Sequence, residues 1–344
     1  MSTVFRQKVT IKDVARACGV STQTISRVLN NKIDVSRETR EKVLAVMHDM
    51  DYHPSALARS MRQQARTIGV IIAGLEFFGI SATLTGITQA AESRGYTLMV
   101  KELPSFDSTE MQPLIQSLTA HQVKGIICAA PEVSDNWKLI QKHMTYQIPP
   151  MVFLKGNPAS APVTISLDNY SGAYAVTTHL IEQGYQHIAH ISGPLEGWEA
   201  QERKRGWTRA LIDAGRKVPD SAVVNGSWTS SSGSASFTIL LEQYPEMDAV
   251  FVANDQMALG VLNQAWEKGI KVPAKLGVAG FDDIPESSHF IPPLTTVHQD
   301  LGKLGDISVR KLLSLDNPKI KDPEVEGTAI ILPTQLRLRQ STRH

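Results

Sequence analysis

Between residues 67 and 340 the chain alternates short apolar runs with helical stretches, and this alternation restricts the fold more than any other feature. Apolar runs bounded by turn residues read as buried strands. One series is 68–73, 97–100, 125–129 and 151–154; a second is 164–167, 187–192, 222–225, 250–253 and 277–281. Helical stretches, among them 82–94, 170–183 and 256–268, separate them. Gly95, Gly184 and Gly269 stand just past three helix ends, where a backbone with positive φ closes a helix. Such alternation predicts parallel sheets covered by helices on both faces. Two series predict two lobes. The serine-rich stretch 227–236 is expected to begin a helix, and no fixed-period repeat or low-complexity tract stands out.

The first 66 residues have a different pattern. Thr10 with Asp13 resembles a capping box opening a helix over 11–18, whose apolar face is Ile11, Val14, Ala15 and Cys18. Gly19 suits a tight stop, and Ser21 suits the N-cap of a second helix over 22–30, with Ile25, Val28 and Leu29 on one side. Helix, short glycine turn and helix within about twenty residues is helix-turn-helix spacing. Ser36 caps a third helix running to about residue 50, with Val43, Met47 and Met50 as its core stripe. Pro54 suits the first turn of a short helix that continues through 56–61 into a polar linker.

Charge separates the same two parts. Residues 1–66 hold 12 basic and 6 acidic side chains, net +6, whereas the remaining 278 hold 23 and 28, net −5. A basic head on a mildly acidic body implies a polyanion partner for the head. The second helix fits this expectation. Thr22, Gln23, Ser26, Arg27 and Asn30 lie on its polar side, and no carboxylate occurs between Ser21 and Ile33. Glutamine can bond adenine bidentately, arginine can fork onto guanine, and a threonine methyl can touch thymine. The N-terminal residues of a recognition helix are those that reach base edges.

Ligands of open α/β sheets bind beyond the carboxyl ends of the strands. Those positions are 76–81, 155–157, 193–201, 227–230, 254–255 and 282–283, rich in amide, carboxylate and aromatic groups. Sugars need that mixture, with polar groups for hydroxyls and flat apolar faces for ring C–H.

The motifs then resemble those of the lactose-repressor (LacI/GalR) family. Residues 9–15, 19–21, 24–30 and 35–36 are similar to its head, and 52–61 to its hinge. Residues 68–70, 193–194, 254–260, 280–283 and 292–297 are similar to its regulatory domain. The resemblance runs nearly end to end. It implies an all-α helix-turn-helix headpiece with a hinge helix, joined to an α/β two-lobed periplasmic-binding-protein-like domain. The expected domains are 1–53 (headpiece), 54–66 (hinge and linker) and 67–340 (effector binding and dimerisation). The expected first lobe is about 67–163 and 293–322, and the second about 164–292 and 323–340. A cytoplasmic homodimer on pseudo-palindromic double-stranded operator DNA is implied, with a small effector, a sugar or sugar derivative, in the cleft. No cofactor, metal or membrane contact is expected.

By the same resemblance Thr22, Gln23 and Arg27 would read bases, while Thr10, Ser21, Ser26, Asn30, Ser36 and Thr39 would hold phosphates or neighbouring groups. The hinge residues Ser55, Ala58, Met61 and Arg62 would meet the DNA at the operator centre. Met61 stands where the family usually has a leucine wedge, and methionine can also wedge between base steps. Asp34 stands in a stretch where the family often approaches phosphate, and is expected to weaken one contact or to cap the third helix. Phe77 and Ile80 would line the cleft from the first lobe; Gln201, Trp228, Asn254, Asp282 and Gln299 would supply contacts from the second lobe and the crossover. Two positions depart from the family pattern. Sugar-responsive members commonly have an acid where Lys155 stands and an arginine where Gln201 stands, with Arg203 and Trp198 nearby to compensate. These departures put simple inducer sugars in doubt and imply a different hydroxyl pattern or an anionic group.

Other chemistries find little support. His187 and His190 lie three apart on an expected strand and so face opposite sides, leaving His179 without a metal-binding set. Adjacent Asp282 and Asp283 also point apart, which suits one ligand contact and one structural acid. There is no phosphate-loop motif and no nucleophile elbow. Cys18 and Cys128 are too far apart in the chain to suggest a disulfide framework or a cysteine-based zinc site. No apolar run is long enough to span a membrane, and residues 1–10 lack the apolar core of a secretory signal. A transport binding protein would carry such a signal and no basic head. The last residues, 336–344, carry no heptad leucines, so a dimer is expected rather than a tetramer.

Overall fold

In the computed structural model of the protein, the described residues are 9–29, 34–50, 52, 66–104, 110–130, 148–158 and 161–342. The chain divides into two compact units, Met1–Ala65 and Arg66–His344.

In the first unit, α1 (Ile11–Cys18) opens with the expected capping box. Asp13 N donates to the Thr10 hydroxyl, and the Asp13 carboxylate accepts from Thr10 N. Gly19 closes α1 at φ 66°. The Ser21 hydroxyl accepts from Thr24 N at 3.0 Å at the start of α2 (Thr22–Leu29), and Ser36 caps α3 (Arg37–Asp49) through Thr39 N. The three helices share a core of Val14, Ala15, Cys18, Ile25, Val28, Val43 and Met47. The expected hinge helix and its DNA contacts Ser55, Ala58, Met61 and Arg62 lie outside the described residues, as does Asn30.

The second unit contains a six-stranded parallel sheet and a four-stranded one. In the first lobe β1 (Thr67–Ile72), β2 (Thr97–Glu102), β3 (Ile126–Cys128), β4 (Met151–Leu154) and β5 (Thr164–Leu167) are packed by α4 (Phe78–Ser93) and α5 (Met111–Ala120). In the second, α6 (Asn169–Glu182), β6 (Ile188–Ser192), α7 (Trp198–Asp213), β7 (Val223–Asn225), α8 (Ser230–Gln243), β8 (Ala249–Val252), α9 (Asp255–Glu267) and β9 (Gly277–Ala279) surround a core centred on Trp207, Phe237, Phe251 and Phe281. The chain returns through β10 (Thr296–Gln299) to α10 (Leu301–Asp316) and β11 (Ala329–Leu332), then crosses again to β12 (Thr334–Arg337), which pairs antiparallel with β10.

These crossings correct the expected lobe boundaries. Strand β5 pairs with β4 and β11 in the first sheet, so the first lobe extends past 163 to Leu167. Likewise residues 293–299 stay with the second lobe, where Thr295 bridges Ala279 and His298 bridges Asp282, and β11 stays with the first. An apolar run predicts a buried strand but carries no label for the sheet it joins. The boundary is set by pairing partners distant in the chain.

Candidate effector cleft and nucleic-acid interface

Two equivalent corners meet at one cavity. After β1 the chain turns through residues 73–77 into α4; after β6 it turns through 193–197 into α7. The N-caps are Phe77 (φ −89°, ψ 133°) and Gly197 (φ −86°, ψ 136°), and neither helix start has a side-chain cap. The cavity holds about 510 Å³. Nine of the ten residues expected at the ligand line it: Phe77, Ile80, Lys155, Trp198, Arg203, Trp228, Asn254, Asp282 and Gln299.

Three of these nine adopt positive φ without being glycine: Lys155 (63°), Trp228 (69°) and Asp282 (113°). Such conformations cost free energy and persist only where the surroundings impose them. Asn254 provides one such restraint. Its amide donates to Trp228 O at 3.0 Å while its oxygen accepts from Met257 N, capping α9. Gly193 provides another, since a Cβ there would sit 2.1 Å from the Trp228 ring.

Arg203 is the buried hub of the second lobe's wall. It donates from Nε to Asn169 Oδ1 at 2.8 Å and from Nη1 to Ala253 O. Its guanidinium lies 3.9 Å from the Phe281 ring centre and 5.5 Å from that of Trp228. Asp282 Oδ1 stands 3.6 Å from Nη1, and Glu199 Oε1 3.8 Å from Nη2. Burial pushes the Asp282 carboxyl up to about 6, against the pull of Arg203 and Lys155. Asp282 also accepts from the Gln299 amide. Lys155, only 5% exposed, donates to Gly79 O at 3.2 Å.

The neighbouring acids have other partners. Asp283 turns to Arg339 at 2.6 Å and His298 at 3.1 Å. Asp255, fully buried, accepts from the Thr296 hydroxyl at 2.6 Å and Ile284 N at 2.9 Å, and burial raises its pKa well above the usual carboxylate value. His190 is enclosed between Trp207 and Phe251 and His179 meets Thr342, while His187 is exposed. Among the described residues no His, Cys, Asp and Glu cluster could hold a metal ion, and no helix is long and apolar enough to cross a membrane. Cys18 and Cys128 are both buried, and neither takes part in a disulfide.

On the first unit, α2 presents Thr22, Gln23 and Arg27 exposed and Ser26 half-buried, opposite Ile25 and Val28 in the core. Thr10, Ser21 and Ser36 each sit at a helix start with the hydroxyl engaged in capping, and Thr39 accepts from Ser36 at 2.8 Å.

Comparison with known proteins agrees with this two-part build. Residues 10–55 match the model of bacterial regulatory proteins of the lacI family, and 177–342 match that of a periplasmic binding protein-like domain. The ribose operon repressor of Escherichia coli K12 is 32% identical over 94% of this chain and 98% of its own length. The transcriptional repressor PurR of Mannheimia succiniciproducens is 30% identical over 97% and 98%. The chain belongs to the lacI family. It is a DNA-binding transcriptional regulator. Among solved structures, a lac repressor dimer bound to operator and the anti-inducer ONPF superposes with a TM-score of 0.88, at 32% identity, over 98% of this chain and 100% of that one.

Two expectations for this lacI-family chain change with the geometry. Gln201 is not at the cavity. It lies on the outer face of α7, lines a groove with Lys204 and Arg205, and donates to Leu195 O at 2.7 Å. Arg203 carries the arginine instead, so no positive charge is missing from the cleft. The helix phase explains this: Ala200, Arg203 and Trp207 face inward and Gln201 faces outward. Asp34 does not cap α3, since Ser36 does, and its carboxylate pairs with Arg27. Glu199 lay within the expected stretch 193–201 without being singled out, and Gln256 was not expected; both line the cavity. Glu199, one turn before Arg203 on the same helix face, was legible from that spacing.

Proposed function

We propose that this regulator is a cytoplasmic homodimeric repressor without catalytic activity, whose affinity for a pseudo-palindromic operator is set by a sugar or sugar derivative in the cavity. The observation that carries the reading is the lining of that cavity. Aromatic faces from Phe77, Trp198 and Trp228 stand among polar groups from Lys155, Glu199, Asn254, Asp282 and Gln299, the combination that ring C–H and hydroxyl groups require. The named relatives support it: one represses a ribose operon, and a cellobiose complex of the regulator CelR has the same fold at 27% identity, TM-score 0.72, covering 97% of this chain and 100% of that one.

Thr22, Gln23 and Arg27 read bases from α2; Thr10, Ser21, Ser26, Asn30, Ser36 and Thr39 hold the phosphates, and residues 54–66 supply the hinge contacts. Leu259 and Trp266, seven residues apart on α9 and 42% and 79% exposed, give the second lobe an apolar face that favours pairing with a second copy. A ligand alters operator affinity only through different affinities for the two lobe arrangements.

Selection of the purified protein against random duplex DNA at fixed salt tests this reading. Enrichment of a palindrome is expected, and the enriched duplex then serves to screen sugars for release or tightening. Absence of enrichment, or binding that is only nonspecific and salt-sensitive, would overturn it.

A further inference from the structure

The groups left unpaired in the cavity differ from end to end. Lys155 is 5% exposed, yet its ammonium makes one hydrogen bond, to Gly79 O, and no carboxylate among the described residues lies within ion-pair distance. An ammonium has three donors, so two remain for a ligand. Gly79 lies in the first turn of α4, so the lysine's charge coincides with the start of a 16-residue helix that no side chain caps. A Cβ on Gly79 would stand 3.0 Å from Nζ; glycine leaves the lysine its place. Helix starts attract anions through free N–H groups and the axial dipole. By contrast, α9, which also begins at the cavity, is closed by its own Asn254.

The opposite wall holds unmet acceptors. Gln299 Oε1 is a buried acceptor with no hydrogen-bond partner in a side chain only 4% exposed, and Glu199 Oε1 accepts no hydrogen bond, its contact with Arg203 being an ion pair at 3.8 Å. Unpaired buried acceptors cost free energy that an incoming O–H would recover. Arg203 leaves little for a ligand, because Asn169, Ala253, Asp282 and Glu199 already surround it.

We propose that the effector is a sugar acid, an aldonate or uronate, with its carboxylate on Lys155 at the α4 start and its hydroxyls donating to Glu199 and Gln299. This rests on the reading that the cavity takes the effector. A neutral sugar satisfies the second wall but leaves Lys155 buried with no carboxylate in ion-pair contact.

The test uses the full chain, thermal melts and titration calorimetry with matched sets: D-glucose, D-gluconate and D-glucuronate; D-galactose, D-galactonate and D-galacturonate; D-ribose and D-ribonate. At least one acid is expected to bind tenfold or more tightly than its neutral parent. Lys155→Gln should erase that preference and Lys155→Arg should keep part of it, both variants melting cooperatively. Equal or tighter binding of the neutral parent, or a preference that survives Lys155→Gln, overturns this proposal and leaves the effector reading standing. No response to any member, acid or neutral, overturns both.

Discussion

In the first lobe β1 turns into α4 at Phe77; in the second β6 turns into α7 at Gly197, with nearly the same backbone angles and again without a side-chain cap. The construction is shared, but the cations behind it are used differently. Arg203 is tied by hydrogen bonds and aromatic stacking into the second lobe's wall. Lys155 touches the first lobe through one carbonyl. A buried charge with saturated partners acts as framework, whereas one with spare donors is available to a ligand. The comparison therefore assigns rigidity to the second lobe's cation and selectivity to the first lobe's.

The largest expected effect tests that division directly. Arg203→Leu removes one side of a buried charged network and leaves Asp282 and Glu199 uncompensated, which should cost about 3–5 kcal/mol in urea unfolding. Lys155→Gln should change unfolding by about 1 kcal/mol or less, the scale of one hydrogen bond. Equal losses would erase the distinction. The glycines give a second pair. A Cβ at Gly193 meets the Trp228 ring at 2.1 Å, whereas one at Gly79 meets only the flexible Lys155 terminus. Gly193→Ala should therefore destabilise by about 1–3 kcal/mol and weaken the ligand response while ligand-free operator binding persists. Gly79→Ala should mainly disturb ligand binding. If Gly193→Ala abolishes operator binding instead, Trp228 is a structural pillar and not a cavity wall.

The head offers a contrast outside the cavity. Arg27→Ala should cost about 1–3 kcal/mol in operator affinity and relax base choice at one position. Unfolding of Arg66–His344, followed by tryptophan fluorescence, should be unchanged, because all the tryptophans lie in that unit. Unchanged operator affinity would remove Arg27 from the readers. Its ion pair with Asp34 suggests the sharper variant: Asp34→Ala frees the guanidinium and should raise nonspecific DNA affinity by severalfold.

Local features of the fold were legible because they depend on neighbours in sequence. The Thr10–Asp13 capping box, the Gly19 stop, the Ser21 and Ser36 caps and the closing glycines 95, 184 and 269 all stand where spacing places them. The alternation gave nine strands, but β10, β11 and β12 escaped, being short segments near the chain's end that border crossings between the lobes. Strand β5 was recognised as a strand but assigned to the wrong lobe, since its partners lie at 151–154 and 329–332. At the cavity, position after a strand covered seven of the nine residues, whereas Arg203 and Gln299 lie outside those stretches and came from the family resemblance. Gln201 failed because matching by sequence order ignored the phase of α7, which the buried Ala200, Trp207, Ala210 and Leu211 fix.

The second lobe also contains two buried groups that respond oppositely to acid. His190, enclosed by aromatic rings, is pushed down to about 3 by burial, from an ordinary 6.5. Below 6.5 the unfolded chain gains a proton that the folded one does not, so this group makes stability fall on acidification. Asp282, raised to about 6 from 3.8, acts the other way: between these values the folded chain holds a proton the unfolded chain has lost, and stability rises on acidification. Buried Asp255 adds to that second trend. The opposing slopes flatten the net dependence between about pH 4 and 6. Removing one member should expose the other. Urea midpoints at pH 5 relative to pH 7 should rise in His190→Gln and fall in Asp282→Asn, compared with the parent chain. If both variants shift the ratio in the same direction, burial does not set these protonation states, and the second lobe loses its role as the rigid, dry side of the cavity.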